Sequence, residues 1–123
     1  MNLLHSDLTY KIRKGMFSVY NELGFGHKES VYQEALVKEF DLLKLQYRRE
    51  VKLPVKYKES IVGSYRPDFI VGGKIIIEVK SLYHMPNITE QQLLQYLKIT
   101  GFKLGLLVNF GTPKLYIKRL IWG

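Results

Sequence analysis

The chain has 123 residues, of which 46% are hydrophobic and none is cysteine, and its 19 Lys and Arg against 11 Asp and Glu leave a formal net charge of +8. That length suits a single domain over residues 1–123 with a core of its own, and the lack of cysteine excludes disulfide scaffolds, thiolate metal sites and cysteine nucleophiles. Apolar runs fall short of the roughly 20 residues a membrane helix needs, no secretory pattern opens the chain, and a cytoplasmic protein with a polyanionic partner, DNA or RNA, is the expectation, although solubility alone would also explain the charge.

Ile12, Met16, Val19, Tyr20 and Leu23 recur at three- and four-residue intervals. This spacing predicts a helix over residues 8–23, with Asp7 as N-cap and Gly24 and Gly26 as its stop. A second helix, from Glu29 or Ser30 to residue 43, carries Val31, Leu36, Val37, Phe40 and Leu43. The period then changes. Residues 47–57 alternate, predicting one strand exposed on one side, with Pro54 at a sheet edge or bulge. Lys58 to Ser60 turns the chain into a second strand over 61–71, and Gly72-Gly73 makes a hairpin to a third over 74–80. These three form a meander. Ile75-Ile76-Ile77 is β-branched on both faces, so the third strand is expected to be central. Thr89 caps a helix over 90–100 that Gly101 ends, and strands follow over 103–109 and 114–120. The fold class expected is α/β, a mixed central β-sheet flanked by α-helices.

The chemistry concentrates where the second and third strands meet. Residues two apart on a strand share a face, so Glu78 and Lys80 point together while Val79 points into packing. The hairpin folds Asp68 back beside them. Two carboxylates suit Mg²⁺, a hard cation that keeps waters and takes phosphate oxygens, and Lys80 can orient a water or stabilise developing charge. The plainer alternative makes Asp68 a turn residue and Glu78 and Lys80 ordinary strand-end charges. Charges at the end of a central strand are costly without a purpose, which favours the site.

Pro67-Asp68 with Glu78-Val79-Lys80 resembles the signature of the PD-(D/E)XK nuclease superfamily, and Gly26-His27-Lys28-Glu29-Ser30-Val31-Tyr32 matches the signature of the small GxxExxY family within it. The likeness runs from the first helix through Asn109-Phe110-Gly111 to Ile117-Lys118-Arg119. It implies a restriction-endonuclease-like core and divalent-metal-dependent hydrolysis of DNA, with Mg²⁺ as cofactor and Mn²⁺ as the alternative, while so short a chain has little room for a base-reading surface and favours recognition of DNA structure or ends over a long sequence. Matched by position, Asp68 and Glu78 resemble metal-binding carboxylates, Lys80 the catalytic lysine, and Glu29 the first-helix glutamate that can complete the metal shell directly or through water. Gln92 and Tyr96 resemble a QxxxY element, four apart and so on one helical face. Thr89 stands where close relatives often carry a histidine. Small relatives of this fold act as dimers, so a homodimer is a further implication.

Other readings of the supporting residues stay open. Glu29 can simply favour the positive end of its helix, Gln92 can be a surface residue and Tyr96 a core tyrosine. Tyr32 is expected to pack between helix and sheet with its hydroxyl bonded. Lys38, Lys44, Arg48, Arg49, Lys52, Lys56 and Lys58 cluster along a helix end and one strand and can touch phosphates, Arg48 and Lys52 being the nucleic-acid contacts singled out among them. Tyr47 and Tyr57 fall on the apolar side of the alternation, where packing is expected. His5, His27 and His84 lack metal-motif spacing. The alternative function is a non-catalytic nucleic-acid-binding or accessory protein that keeps the nuclease core.

Overall fold

The helical spacing of Ile12, Met16 and Val19 becomes the buried stripe of α1 (Ser6–Leu23) in the computed structural model, which describes residues 4–123. The residue ahead of the helix is His5, in the left-handed region at φ 52, and Asp7 lies in the first turn rather than at the cap. There its charge complements the positive helix end. Gly24 (φ 73) stops the helix as expected, its N–H donating to Tyr20 O. Helix α2 (Glu29–Leu42) buries Tyr32, Leu36 and Phe40.

The alternating stretch that predicts one strand forms two. β1 (Tyr47–Arg49) and β2 (Leu53–Tyr57) are separated by Glu50, whose φ of 49 turns the chain out of the strand direction. The next stretch also splits, into β3 (Ser60–Tyr65) and β4 (Phe69–Val71), around Arg66-Pro67-Asp68. Pro67 has no N–H to give a ladder. The expected meander is therefore replaced by a sheet with an excursion. β1 pairs antiparallel with β4, while β2 and β3 pair with each other as a separate ribbon. Pro54 lies on that ribbon, next to a register shift between Val55 and Lys56.

Gly72 and Gly73 both take positive φ (61 and 66), and Lys74 N–H closes their turn on Val71 O at 3.1 Å. Only glycine adopts that pair of conformations freely. The turn delivers β5 (Ile75–Lys80) antiparallel to β4. Helix α3 (Ile88–Thr100) then crosses to β6 (Leu104–Asn109), parallel to β5, and β7 (Tyr116–Ile121) closes the sheet antiparallel to β6. Helix α3 starts before Thr89, so that residue sits in the first turn and Asn87 takes the cap position. Gly101 (φ 82) ends it.

The five-stranded order is β1-β4-β5-β6-β7, a mixed sheet with β5 at its centre. Ile75, Ile77 and Val79 of β5 join the core under α1 and α2, while Ile76 joins Leu93 and Leu97 of α3 on the opposite face. Ile75, Ile76 and Ile77 are all fully buried, each worth roughly 1.5–3 kcal/mol over exposure. Helices cover both faces, which gives the restriction-endonuclease-like α/β layering expected. Among the described residues no helix is long and apolar enough to cross a membrane.

Candidate active site

The register of β4 on β5 pairs Phe69 with Ile77, so the preceding Asp68 comes opposite Glu78. Hydrogen bonds fix the meeting. The Asp68 amide donates to Glu78 Oε1 at 3.2 Å, and the Val79 amide donates to Asp68 Oδ2 at 2.7 Å. Each carboxylate thus terminates the ladder of the other strand. Glu78 and Lys80 share the α3 side of β5, and both line a small cleft with Tyr65, Thr89, Gln92, Leu93, Tyr96 and Leu107.

Burial raises the pKa of Glu78 to about 7, with the Asp68 charge adding to the rise. The Tyr65 hydroxyl and the Asp68 amide oppose it by bonding the charged form, and Lys80 opposes it by its charge. Asp68 is raised by burial too, against the Val79 hydrogen bond and the Lys80 charge, which favour ionisation. Two half-buried carboxylates that disfavour each other's charge are the environment a cation relieves. Glu29 and Glu50 also bear on Asp68, their charges raising it further.

The loop ahead of α2 explains how Glu29 arrives there. Gly26 (φ 91) donates its N–H to Phe110 O at 3.0 Å, and Ser81 Oγ donates to His27 O. Tyr32, fully buried, stacks on Phe110 at 4.2 Å, and its hydroxyl donates to Gly24 O (2.7 Å) and accepts from the His27 amide (3.1 Å). The expected packing of Tyr32 between helix and sheet is what holds the loop. Glycine and tyrosine at this spacing therefore dock the start of α2, and Glu29 with it, against the ends of β5 and β6.

Tyr96 stacks on Tyr65 with centroids 3.8 Å apart and planes within 5°. Tyr65 in turn donates its hydroxyl to Glu78 Oε1 at 2.9 Å. Tyr96 thus braces the site through Tyr65, and Gln92, exposed, lines the same cleft one turn earlier. Arg48, on edge strand β1, and Lys52, at the foot of the ribbon, are exposed and make no ion pair with the carboxylates among the described residues. Arg49 is committed to Glu34 at 2.6 Å and lies over the Phe69 ring. Tyr47 packs against the core as expected, but Tyr57 is 62% exposed, because the ribbon carries it away from the body.

Two contacts escape the sequence reading. Gln33 Nε2 donates to Asp68 Oδ1 at 3.1 Å. Its position four after Glu29 puts both on one face of α2, a signal that could have nominated it. Tyr65 had no such signal, since its reach to Glu78 depends on the Arg66-Pro67-Asp68 bend.

Among the described residues no group of three or more His, Cys, Asp or Glu is gathered to hold a metal ion. The donor set that exists is the Asp68–Glu78 pair, with Glu29 acting on Asp68 by charge. Tyr65 and the Asp68 amide both donate to Oε1 of Glu78, leaving Oε2 as the available ligand atom. One or two carboxylates with waters and substrate phosphate oxygens are the usual ligands of Mg²⁺, so the residues fit that ion.

Comparison with known proteins adds three findings. No curated protein matches the sequence. The crystal structure of SSO0001 is similar at 19% identity, covering 94% of this chain and 78% of that one with a TM-score of 0.48, a level that carries no argument about activity. The family model of the PD-(D/E)XK nuclease superfamily matches residues 6–120. Since that match runs from the first helix into the last strand, with every strand of the sheet inside or reaching into it, the chain belongs to the PD-(D/E)XK nuclease superfamily.

Proposed function

We propose that this protein is a divalent-metal-dependent deoxyribonuclease of the GxxExxY kind, with residues 1–123 forming one nuclease domain that works in the cytoplasm. The observation that carries the reading is the β4–β5 register, which opposes Asp68 to Glu78 and sets Lys80 two residues on along the same face. Asp68 and Glu78 would hold Mg²⁺, or Mn²⁺, with Glu29 completing the shell through water. The bound ion would supply Lewis acidity at the scissile phosphate and lower the pKa of an attacking water.

The chain's own residues do the rest. Lys80 directs the water and stabilises charge developing on the phosphate oxygens. Tyr65, clamped by Tyr96, fixes the Glu78 carboxylate, and Val79 N–H and Gln33 fix that of Asp68. Gln92 and Tyr96 present the α3 side of the cleft to substrate, and Arg48 and Lys52 supply phosphate contacts beyond it. So small a domain suits recognition of a DNA end, junction or other shape more than a long sequence. RNA is the second substrate to test. A homodimer would bring two sites to two strands.

The test is cleavage of a panel of linear, nicked, single-stranded and branched nucleic acids with Mg²⁺ or Mn²⁺, against EDTA. Asp68→Ala is expected to abolish cleavage, and Lys80→Ala to slow it by roughly 100-fold or more, with circular dichroism unchanged. Equal cleavage by wild type and Asp68→Ala would sink the proposal. One observation favours a second reading, a binding or accessory protein that keeps the nuclease core: both oxygens of Asp68 already accept protein hydrogen bonds, from Gln33 and Val79. DNA binding with no metal uptake and no cleavage on any substrate would select it.

A further inference from the structure

The β2–β3 ribbon stands apart from the five-stranded sheet. Its foot is anchored by Leu53 and Tyr65, which pack with α3, while every residue of β3 from Ser60 to Ser64 is exposed. Towards its tip Tyr57, Ile61 and Val62 are 62%, 69% and 62% exposed. Three large apolar side chains left in water on one narrow element call for a partner. The same segment, residues 52–64, carries Lys52, Lys56 and Lys58 against a single acid, Glu59. All three lysines are exposed.

We propose that this ribbon is an arm that grips duplex DNA beside the cleavage site, lysines on the phosphates and the apolar tip against the groove. The inference rests on the nuclease reading for its purpose and extends it by assigning where the flanking duplex lies. A two-stranded ribbon has the cross-section a duplex groove admits, and apolar side chains flanked by cations are the composition of elements that wedge at base steps. A second copy of the chain is the competing occupant. It is disfavoured because two such ribbons would bring like-charged lysines together, and lysines along an edge are what keeps strands from pairing with one another.

The chain leaves the foot of the arm directly into Pro67-Asp68, so duplex and site are tied by covalent geometry. Six residues of strand, at about 3.3 Å each, place the tip roughly 20 Å from the Tyr65–Glu78 contact. On a duplex that repeats every 34 Å or so, this is about six base pairs to one side of the cut.

Fluorescence anisotropy with a 20-base-pair duplex, in EDTA so that no cleavage intervenes, tests the arm. For Lys56→Ala/Lys58→Ala the slope of log affinity against log salt is expected to fall in magnitude by about 2, one for each lysine taken off a phosphate. Ile61→Ser/Val62→Ser should weaken binding several-fold at an unchanged slope. These side chains are exposed, so folding is retained and is checked by circular dichroism. Wild-type affinity and slope in the lysine variant would overturn the proposal, as would a wild type that binds no duplex. A ribbon variant that loses self-association in light scattering while binding DNA normally would assign the ribbon to a second copy instead. Arm-dependent binding without cleavage under Mg²⁺ would leave the arm standing and remove the nuclease reading, so the two fail separately.

Discussion

At Glu78 the same burial that shapes the site makes the protein's stability depend on pH. The side chain's pKa rises from the usual 4.5 to about 7, so between those values the native state holds a proton the unfolded chain has released. Stability from this group is complete below about pH 4.5 and is lost as pH climbs through 7. Asp68 is shifted in the same direction. Glu78→Gln keeps an oxygen for the Tyr65 and Asp68 donors and never ionises. It is expected to raise the unfolding free energy at pH 8, without metal, by about 2–3 kcal/mol and to do little at pH 4, as urea titrations at the two values will show. Metal uptake at the proposed site would have the opposite slope, because ligand carboxylates must lose their protons. Tyr65→Phe deletes a bond that favours the charged form of Glu78, so Mn²⁺ titration calorimetry should find weaker binding at neutral pH, recovering above pH 8. Glu78 and Lys80 were legible as neighbours because strand parity alone puts them on one face, and Asp68 because the Gly72-Gly73 hairpin folds its strand back beside theirs. Tyr65 was not, since its reach to Glu78 depends on the bend at Arg66-Pro67-Asp68, and Gln33 carried only its helical spacing from Glu29 as a signal.

The loop after β5 is positioned by one buried amide. Asn109, 2% exposed, accepts from the Leu82 amide at 2.9 Å and the Gly111 amide at 3.0 Å, and donates to Leu82 O at 2.9 Å. It therefore ties the end of β6 to the chain leaving Lys80. Asn109→Ala leaves those main-chain groups without their partner, an expected loss of roughly 3 kcal/mol that chemical denaturation will measure, with the loss of any cleavage following from the displaced Lys80. Gly111 has a different constraint: a Cβ there would lie 2.2 Å from Leu82 N. Backbone cannot yield as a side-chain tip does, so Gly111→Ala is expected to destabilise by about 1–3 kcal/mol, read from the same transitions. The sequence marks this segment as a break between two strands. That it is the hinge pin of the neighbouring strand's exit emerges only from the parallel pairing of Lys80 with Asn109.

For the molecule as a whole, β5 and β6 are the centre from which order falls away. β6 is buried along its full length and β5 along its first three residues, between the α1/α2 layer and α3. Amides of Ile76, Ile77, Leu106 and Leu107 should exchange with solvent only on global unfolding. Those of residues 60–64 should exchange through local opening, orders of magnitude sooner, because an isolated two-stranded ribbon is marginal in water. Hydrogen exchange followed by mass spectrometry distinguishes these limits, and duplex bound along the ribbon should slow exchange there selectively. Equal protection of ribbon and centre would show that the two unfold as one unit.

Hydrophobic period by itself determined the three helices and strand parity the shared face of Glu78 and Lys80, while the unbroken Ile75-Ile76-Ile77 run marked β5 as central, because each is written in neighbours within a few residues. The Gly72-Gly73 turn was equally local, since its two positive φ values exclude most side chains. Only the tertiary structure decided that residues 47–57 and 61–71 each divide between two sheets: nothing in a strand-like run records which partner a strand will find, and β3 is exposed from Ser60 to Ser64 where β4 is wholly buried. The bracing of Glu78 by Tyr65 and Tyr96, and the docking of Glu29 through Tyr32 on Phe110, belong to that second class. They join residues far apart in the chain, and the free energy that selects them comes from packing the layers together.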